Sequence, residues 1–133
     1  MPWSEVFIVF FVSHLVGDFG IQTEWQALHK HGGLGPDPES RRALASHIAM
    51  YTLAYVPALV WLGGEIGAGA AIGTAALIAF PHLVQDDGRL IWAWVRRVKG
   101  TDPIANANVT VMVDQTFHLV ALLLTALLVG TGV

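Results

Sequence analysis

The stretch Val6-Phe-Ile-Val-Phe-Phe-Val-Ser-His14-Leu-Val-Gly-Asp18-Phe-Gly-Ile21 is apolar apart from Ser13, His14 and Asp18. About 20 mainly apolar residues carry an α-helix across the hydrocarbon core of a bilayer. A charge at that depth costs several kcal/mol and turns toward a protein interior, where it usually has a function. The stretch therefore reads as a membrane helix whose His14 and Asp18 face partner helices. It does not read as a cleaved leader: a basic start is missing, Glu5 comes early, and His14 and Asp18 interrupt the apolar part.

The rest of the chain repeats the pattern. Of 133 residues, 54% are hydrophobic and only 13% are charged, where a soluble domain carries roughly a quarter. Most of the surface must then face something other than water. The length allows one domain, residues 1–133. Cysteine is absent, which excludes thiolate metal sites, disulfides and thiol redox chemistry. The net charge of −3, with no basic stripe, argues against nucleic acid as a partner.

Turn residues divide the chain into four helices, at about 3–30, 38–62, 68–98 and 109–130. The breaks are His31-Gly-Gly-Leu-Gly-Pro-Asp37, Gly63-Gly-Glu-Ile-Gly-Ala-Gly69 and Gly100-Thr-Asp-Pro-Ile-Ala-Asn-Ala-Asn108. Asp37 before Pro38 is an N-cap with proline at the first helical position, and Asn108 is a further candidate cap. The expected fold is all-α, an integral membrane antiparallel four-helix bundle.

The basic residues orient it. Lys30, Arg41 and Arg42 flank the first loop, and Arg89, Arg96, Arg97 and Lys99 flank the third. Positive charge marks the cytoplasmic side, so both termini are expected outside a cytoplasmic (inner) membrane. Trp3 and Trp61 would mark the outer interface, and Trp25, Trp92 and Trp94 the inner one.

Seven ligand-type side chains lie inside this frame: His14, Asp18, His47, His82, Asp86, Asp114 and His118. Three pairs are spaced by four residues, which places both members on one helical face. The order is His-x-x-x-Asp in helices one and three but Asp-x-x-x-His in helix four, which runs the opposite way. In an antiparallel bundle all three aspartates then lie nearer the cytoplasm, roughly 7–11 Å inside the boundary, with His47 at a similar level. A hydrogen-bonded Asp–His network is the simpler explanation for one pair. Three pairs plus a fourth histidine at one depth point instead to metal. Imidazole with carboxylate suits zinc, iron or manganese, and seven ligands exceed the needs of one ion, so two divalent ions are expected.

Other residues have secondary roles. Tyr51 follows His47 by one turn and is a candidate hydrogen-bond or proton donor; Asp18, Asp86 and Asp114 are candidate catalytic carboxylates. Gln22 and Gln115 continue the polar face and are candidate substrate or second-layer contacts. Arg89, three residues after Asp86, is expected at the cytoplasmic mouth, either as an interfacial anchor or as a clamp for an anionic substrate. His29 and His31 are expected to be solvated loop residues. Pro81 removes one helical hydrogen bond and is expected to kink helix three, which would widen the site. Gly63–Gly67 and Gly69–Gly73 have the spacing that permits close helix contact or homodimerisation.

The run His14-Leu-Val-Gly-Asp18-Phe-Gly-Ile-Gln22, followed by Trp25 and Lys30, resembles the opening of a bacterial membrane family known as domain of unknown function 3307. The resemblance continues through His47, His82 with Asp86, and Asp114-Gln115-x-x-His118. It covers nearly the whole chain and implies no activity, although the family is loosely similar to membrane-bound metal-dependent hydrolases.

Three functional classes fit these residues. The first is a metal-dependent hydrolase of a lipid-like or phosphorylated small-molecule substrate. The second is a di-iron redox or oxygen-activating enzyme, although such bundles favour glutamate and Glu-x-x-His spacing. The third is a metal transporter or carrier.

Overall fold

The computed structural model describes residues 1–131; the last two residues of the expected 1–133 domain lie outside the described residues. Helix α1 spans Trp3–Leu15 and continues as a π-helical turn, Val16–Gly20. Helix α2 is Glu24–His29, α3 is Pro38–Ala54, α4 is Val56–Ile66 and α5 is Ala68–Asp86. Helix α6, Arg89–Trp94, runs into a second π turn, Val95–Lys99, and α7 is Ala107–Val129. No strand occurs among the described residues.

Three segments among the described residues are long and apolar enough to cross a membrane: Trp3–Gly20, Ala68–Asp86 and Ala107–Val129. The pair α3–α4 would make a fourth span, but it bends by 52°. Pro57 explains the bend, because it has no N–H to donate to the carbonyl of Leu53. Helix α1 packs on α7, α4 on α5, and α5 on both α3 and α7. The first and last described residues meet, with Thr131 donating to the Met1 carbonyl at 2.7 Å and Trp3 to the Thr131 carbonyl at 3.2 Å.

Besides the bent 38–62 pair, two of the expected long helices are broken. The segment expected as one helix over 3–30 unwinds after Gly20 and restarts at Thr23. There the hydroxyl accepts from the Gln26 backbone N–H, while the Gln26 side chain accepts from the Thr23 N–H. The segment expected over 68–98 stops at Asp86–Asp87, because Gly88 takes a left-handed conformation, φ 80°. Helix α5 nevertheless runs through Pro81. The residues Gly63–Ile66, expected as turn, are helical, and the reversal occurs at Gly67. The last helix begins at Ala107, after Asn106, two residues earlier than expected. Asp37 does cap α3, accepting from the Ser40 N–H at 2.8 Å.

The polarity is inverted relative to a soluble bundle. Leu28, Val60, Ile72, Met112 and Leu128 are exposed, while His14, His47, His82, Asp86 and His118 are buried. An apolar outside around a polar inside is what a hydrocarbon solvent demands. An apolar core built around Phe10, Tyr55, Leu62, Ile78 and Leu122 fills the end of the bundle near the termini. The polar cluster sits beyond it, toward the α2–α3 loop.

Candidate metal centre

Asp18 is carried by the π turn that follows α1, and π turns of this kind widen a helix locally, often at functional sites. Gly17 beside it allows the close approach of α3, since a Cβ there would run into the Tyr51 ring. His47 comes from the middle of α3, and His82 and Asp86 from one face of α5. Four ligand atoms converge: Asp18 Oδ1, His47 Nε2, His82 Nε2 and Asp86 Oδ2. His47 Nε2 lies 2.6 Å from Asp86 Oδ2, 3.2 Å from Asp18 Oδ1 and 3.1 Å from His82 Nε2. His82 Nε2 lies 3.3 Å from Asp18 Oδ1 and 3.1 Å from Asp86 Oδ2. All four side chains are nearly inaccessible to solvent.

Adjacent ligands of a tetrahedral ion with bonds of about 2.0 Å stand about 3.3 Å apart. Four of the five observed separations lie between 3.1 and 3.3 Å, and the fifth, His47 to Asp86, is shorter at 2.6 Å. Among the described residues, Asp18 Oδ1 is buried without a hydrogen-bond partner despite two imidazole nitrogens close by. The side chains thus face a common centre more than they aim protons at one another. The donor set, two imidazoles and two carboxylates, fits a divalent transition ion.

Asp86 joins this group to a second. Its other oxygen, Oδ1, lies 3.2 Å from His118 Nε2, and Asp114 completes a set of three ligand-type residues. The His118 Nδ1–H donates to the Asp114 carbonyl at 2.7 Å, which fixes the tautomer and leaves the Nε2 lone pair toward Asp86. His118 Nε2 and Asp86 Oδ1 are both buried and without hydrogen-bond partners among the described residues.

The structure places His14 beside the centre and in neither group. Its Nδ1 is 2.9 Å from the Tyr51 hydroxyl, and its Nε2 is 2.8 Å from Gln115 Oε1 and 3.8 Å from Asp18 Oδ2. Gln115 ties the layers together, donating to Asp18 Oδ2 at 3.4 Å and to Asp114 Oδ2 at 3.2 Å. The Tyr51 ring stacks on His82, and its hydroxyl meets that of Tyr55, which donates to the Phe10 carbonyl. These contacts orient the ligand groups without occupying their converging atoms.

Arg89 is turned away from the cluster. The left-handed Gly88 breaks the α5 face on which Arg89 was expected to follow Asp86. The guanidinium instead reaches Asp87 with two bonds, of 2.6 and 3.1 Å, at the surface. The cation at the cluster is Lys30, which donates to Asp86 Oδ2 at 2.8 Å and to Gln22 Oε1 at 2.7 Å. Gln22 in turn donates to the Asp18 carbonyl at 3.2 Å. His29 ends α2 and is half-buried rather than a solvated loop residue, and His31 stacks on Trp92 with centroids 3.8 Å apart. Burial there pushes the His31 imidazole below its ordinary pKa, with Arg89 and Arg96 acting the same way and Asp87 opposing them.

Four functional neighbours were not identified from the sequence: Tyr55, Gln85, Asp87, and Lys30 in any role beyond a flanking charge. Tyr55 carried a signal, since it follows Tyr51 by one turn. Gly88 carried another, as the end of an Asp-Asp-Gly run.

No curated protein and no solved structure matches the chain. The family model described as protein of unknown function (DUF3307) matches residues 6–132, and the chain belongs to that family.

Proposed function

We propose that this chain is a four-span protein of the cytoplasmic membrane, with both termini outside, that holds two divalent ions and hydrolyses a phosphorylated, lipid-like substrate. One observation carries the dinuclear part: the two oxygens of Asp86 face two separate ligand groups, as a bridging carboxylate does. Asp18, His47, His82 and Asp86 would hold the first ion, and Asp86, Asp114 and His118 the second. Zinc, iron and manganese suit these donors. Ions bound there would supply Lewis-acid polarisation of a phosphoryl oxygen and acidify water.

The remaining work falls to the chain. Asp114 is the least buried of the three carboxylates, its side chain 25% exposed, and it lines a cavity. It is the group best placed to take a proton from water entering there. Lys30 takes the anion-gripping role first expected of Arg89. Gln115 and His14 hold Asp18 and Asp114 in place, and Tyr51 fixes the plane of His82.

The test is phosphate release from phosphorylated lipids by protein in lipid nanodiscs, stripped with chelator and reloaded with each metal. Activity should return with metal, and Asp114→Asn, which removes both the proton acceptor and a ligand of the second ion, should lower kcat by about 10²-fold or more with little change in KM. Metal-loaded protein that cleaves none of these substrates would overturn the hydrolase reading.

A further inference from the structure

A cavity of about 320 Å³ opens beside the second ligand group, between α2, α6 and α7. This is within the range of small-molecule sites, roughly 300–1,000 Å³. Its polar end is formed by Lys30, Gln85, Asp86 and Asp114. Its walls are apolar, with Leu28, Ile91, Trp92 and Val111. Leu28 and Val111 are themselves exposed, so the cavity reaches the apolar flank of the molecule.

The polar end is incompletely paired. Lys30 carries three N–H donors, and two are used, on Asp86 and Gln22. Gln85 is buried; its Nε2 donates to the Phe117 carbonyl at 3.1 Å, and its Oε1 has no partner among the described residues. A ligand suited to this end must offer an acceptor to Lys30 and a donor to Gln85 Oε1.

Charge narrows the choice. Three aspartates and one lysine give a formal charge of −2 with the histidines neutral. Two divalent ions would turn that into +2, which an anion offsets, and an uncompensated charge away from water is costly. We infer that the cavity is the headgroup site of a phosphate-monoester amphiphile, with the phosphate at Lys30 and Gln85 and its chain leaving past Leu28 and Val111. A phosphate monoester has its second pKa near 6, so its singly protonated form keeps one negative charge for Lys30 and supplies the O–H that Gln85 Oε1 needs. A phosphodiester offers that charge but has no such proton. The inference rests on the dinuclear reading proposed above for the sign of the site.

Native mass spectrometry of the full chain in detergent tests it, because one spectrum counts both bound ions and bound lipid. Phosphatidic acid should bind one per chain, at least roughly tenfold more tightly than phosphatidylglycerol. Lys30→Met should weaken phosphatidic acid binding by roughly tenfold or more, and Gln85→Leu by roughly fivefold, with ion counts unchanged. Glycerol 3-phosphate should compete only weakly, since it lacks the chain. Equal binding of phosphatidylglycerol, or wild-type affinity in both variants, would overturn the headgroup assignment. Equally strong competition by glycerol 3-phosphate would overturn the amphiphile and leave a soluble phosphate site in its place. Loss of ions in Lys30→Met would show that Lys30 acts through its bond to Asp86 and would overturn its headgroup role. Lys30-dependent binding of phosphatidic acid to protein that takes up no ions even when supplied with them would uphold the cavity site and sink the dinuclear reading alone.

Discussion

The phenol ring of Tyr51 lies flat on the imidazole of His82, with centroids 3.4 Å apart and planes within 7° of parallel. Its hydroxyl also links His14 and Tyr55, so one side chain fixes a ligand plane and anchors the supporting network. Tyr51→Phe keeps the stack and strands the buried His14 Nδ1, while Tyr55 keeps its bond to the Phe10 carbonyl. It should cost about 1–3 kcal/mol of stability and leave ion stoichiometry unchanged. Tyr51→Ala removes the support for His82 and should lower metal affinity by roughly 10- to 100-fold. Thermal melts and metal titrations separate the two effects, and equal metal affinity in all three proteins would remove Tyr51 from the site.

Gly88 is the joint between α5 and α6. Its φ of 80° is unfavourable for any side chain, and a Cβ there would collide with His31 Nδ1. Gly88→Ala should destabilise the protein by about 1–3 kcal/mol and unstack His31 from Trp92. A melting temperature equal to that of wild type would contradict the left-handed joint.

Asp87 ties the loop after α2 to this joint, accepting from the Leu34 N–H at 2.8 Å and pairing with Arg89. Burial alone would raise its pKa, but the bonds from Arg89 and Leu34 outweigh it and hold the carboxyl below its ordinary value. A depressed carboxylate stabilises the fold above the unfolded pKa of about 3.9, and the effect is lost as pH falls through the lower, folded value. The Leu34 amide should therefore be less protected, relative to its intrinsic exchange rate, well below pH 4 than at neutral pH. In Asp87→Asn its protection should be low at both, and equal wild-type protection at both pH values would refute the clamp.

The proposed topology places residues 31–37 and 100–107 in the cytoplasm and Glu65 outside. Single cysteines in the two loops should react with a membrane-impermeant thiol reagent only from the cytoplasmic side, and one at Glu65 only from outside. Labelling of the loops from outside would reverse the orientation.

The periodicity of the sequence already set His82 and Asp86 on one face, and their ligand atoms stand 3.1 Å apart. It could not separate His14 from the converging set, because a four-residue spacing is common to a ligand and to its supporting neighbour. The π turn at Val16–Gly20 decides that difference by turning Asp18 Oδ1 toward His47 and His82. Nor do helix periods anticipate Lys30. Its reach to Asp86 depends on the chain unwinding after Gly20 and restarting at Thr23, a tertiary arrangement that an uninterrupted helix over 3–30 would not make. The breaks at Thr23 and Gly88 were written in local signals, a capping box and an Asp-Gly pair, that the surrounding apolar pattern outweighed.

Elemental analysis of purified wild-type protein beside Asp86→Asn and Asp114→Asn tests the dinuclear centre most directly. Wild type should hold about two transition-metal ions per chain, Asp114→Asn about one, and Asp86→Asn, which loses the shared bridge, close to none. Wild-type protein that stays folded yet free of metal after supplementation with zinc, iron and manganese would contradict the account. The cluster would then be a hydrogen-bonded tie between helices.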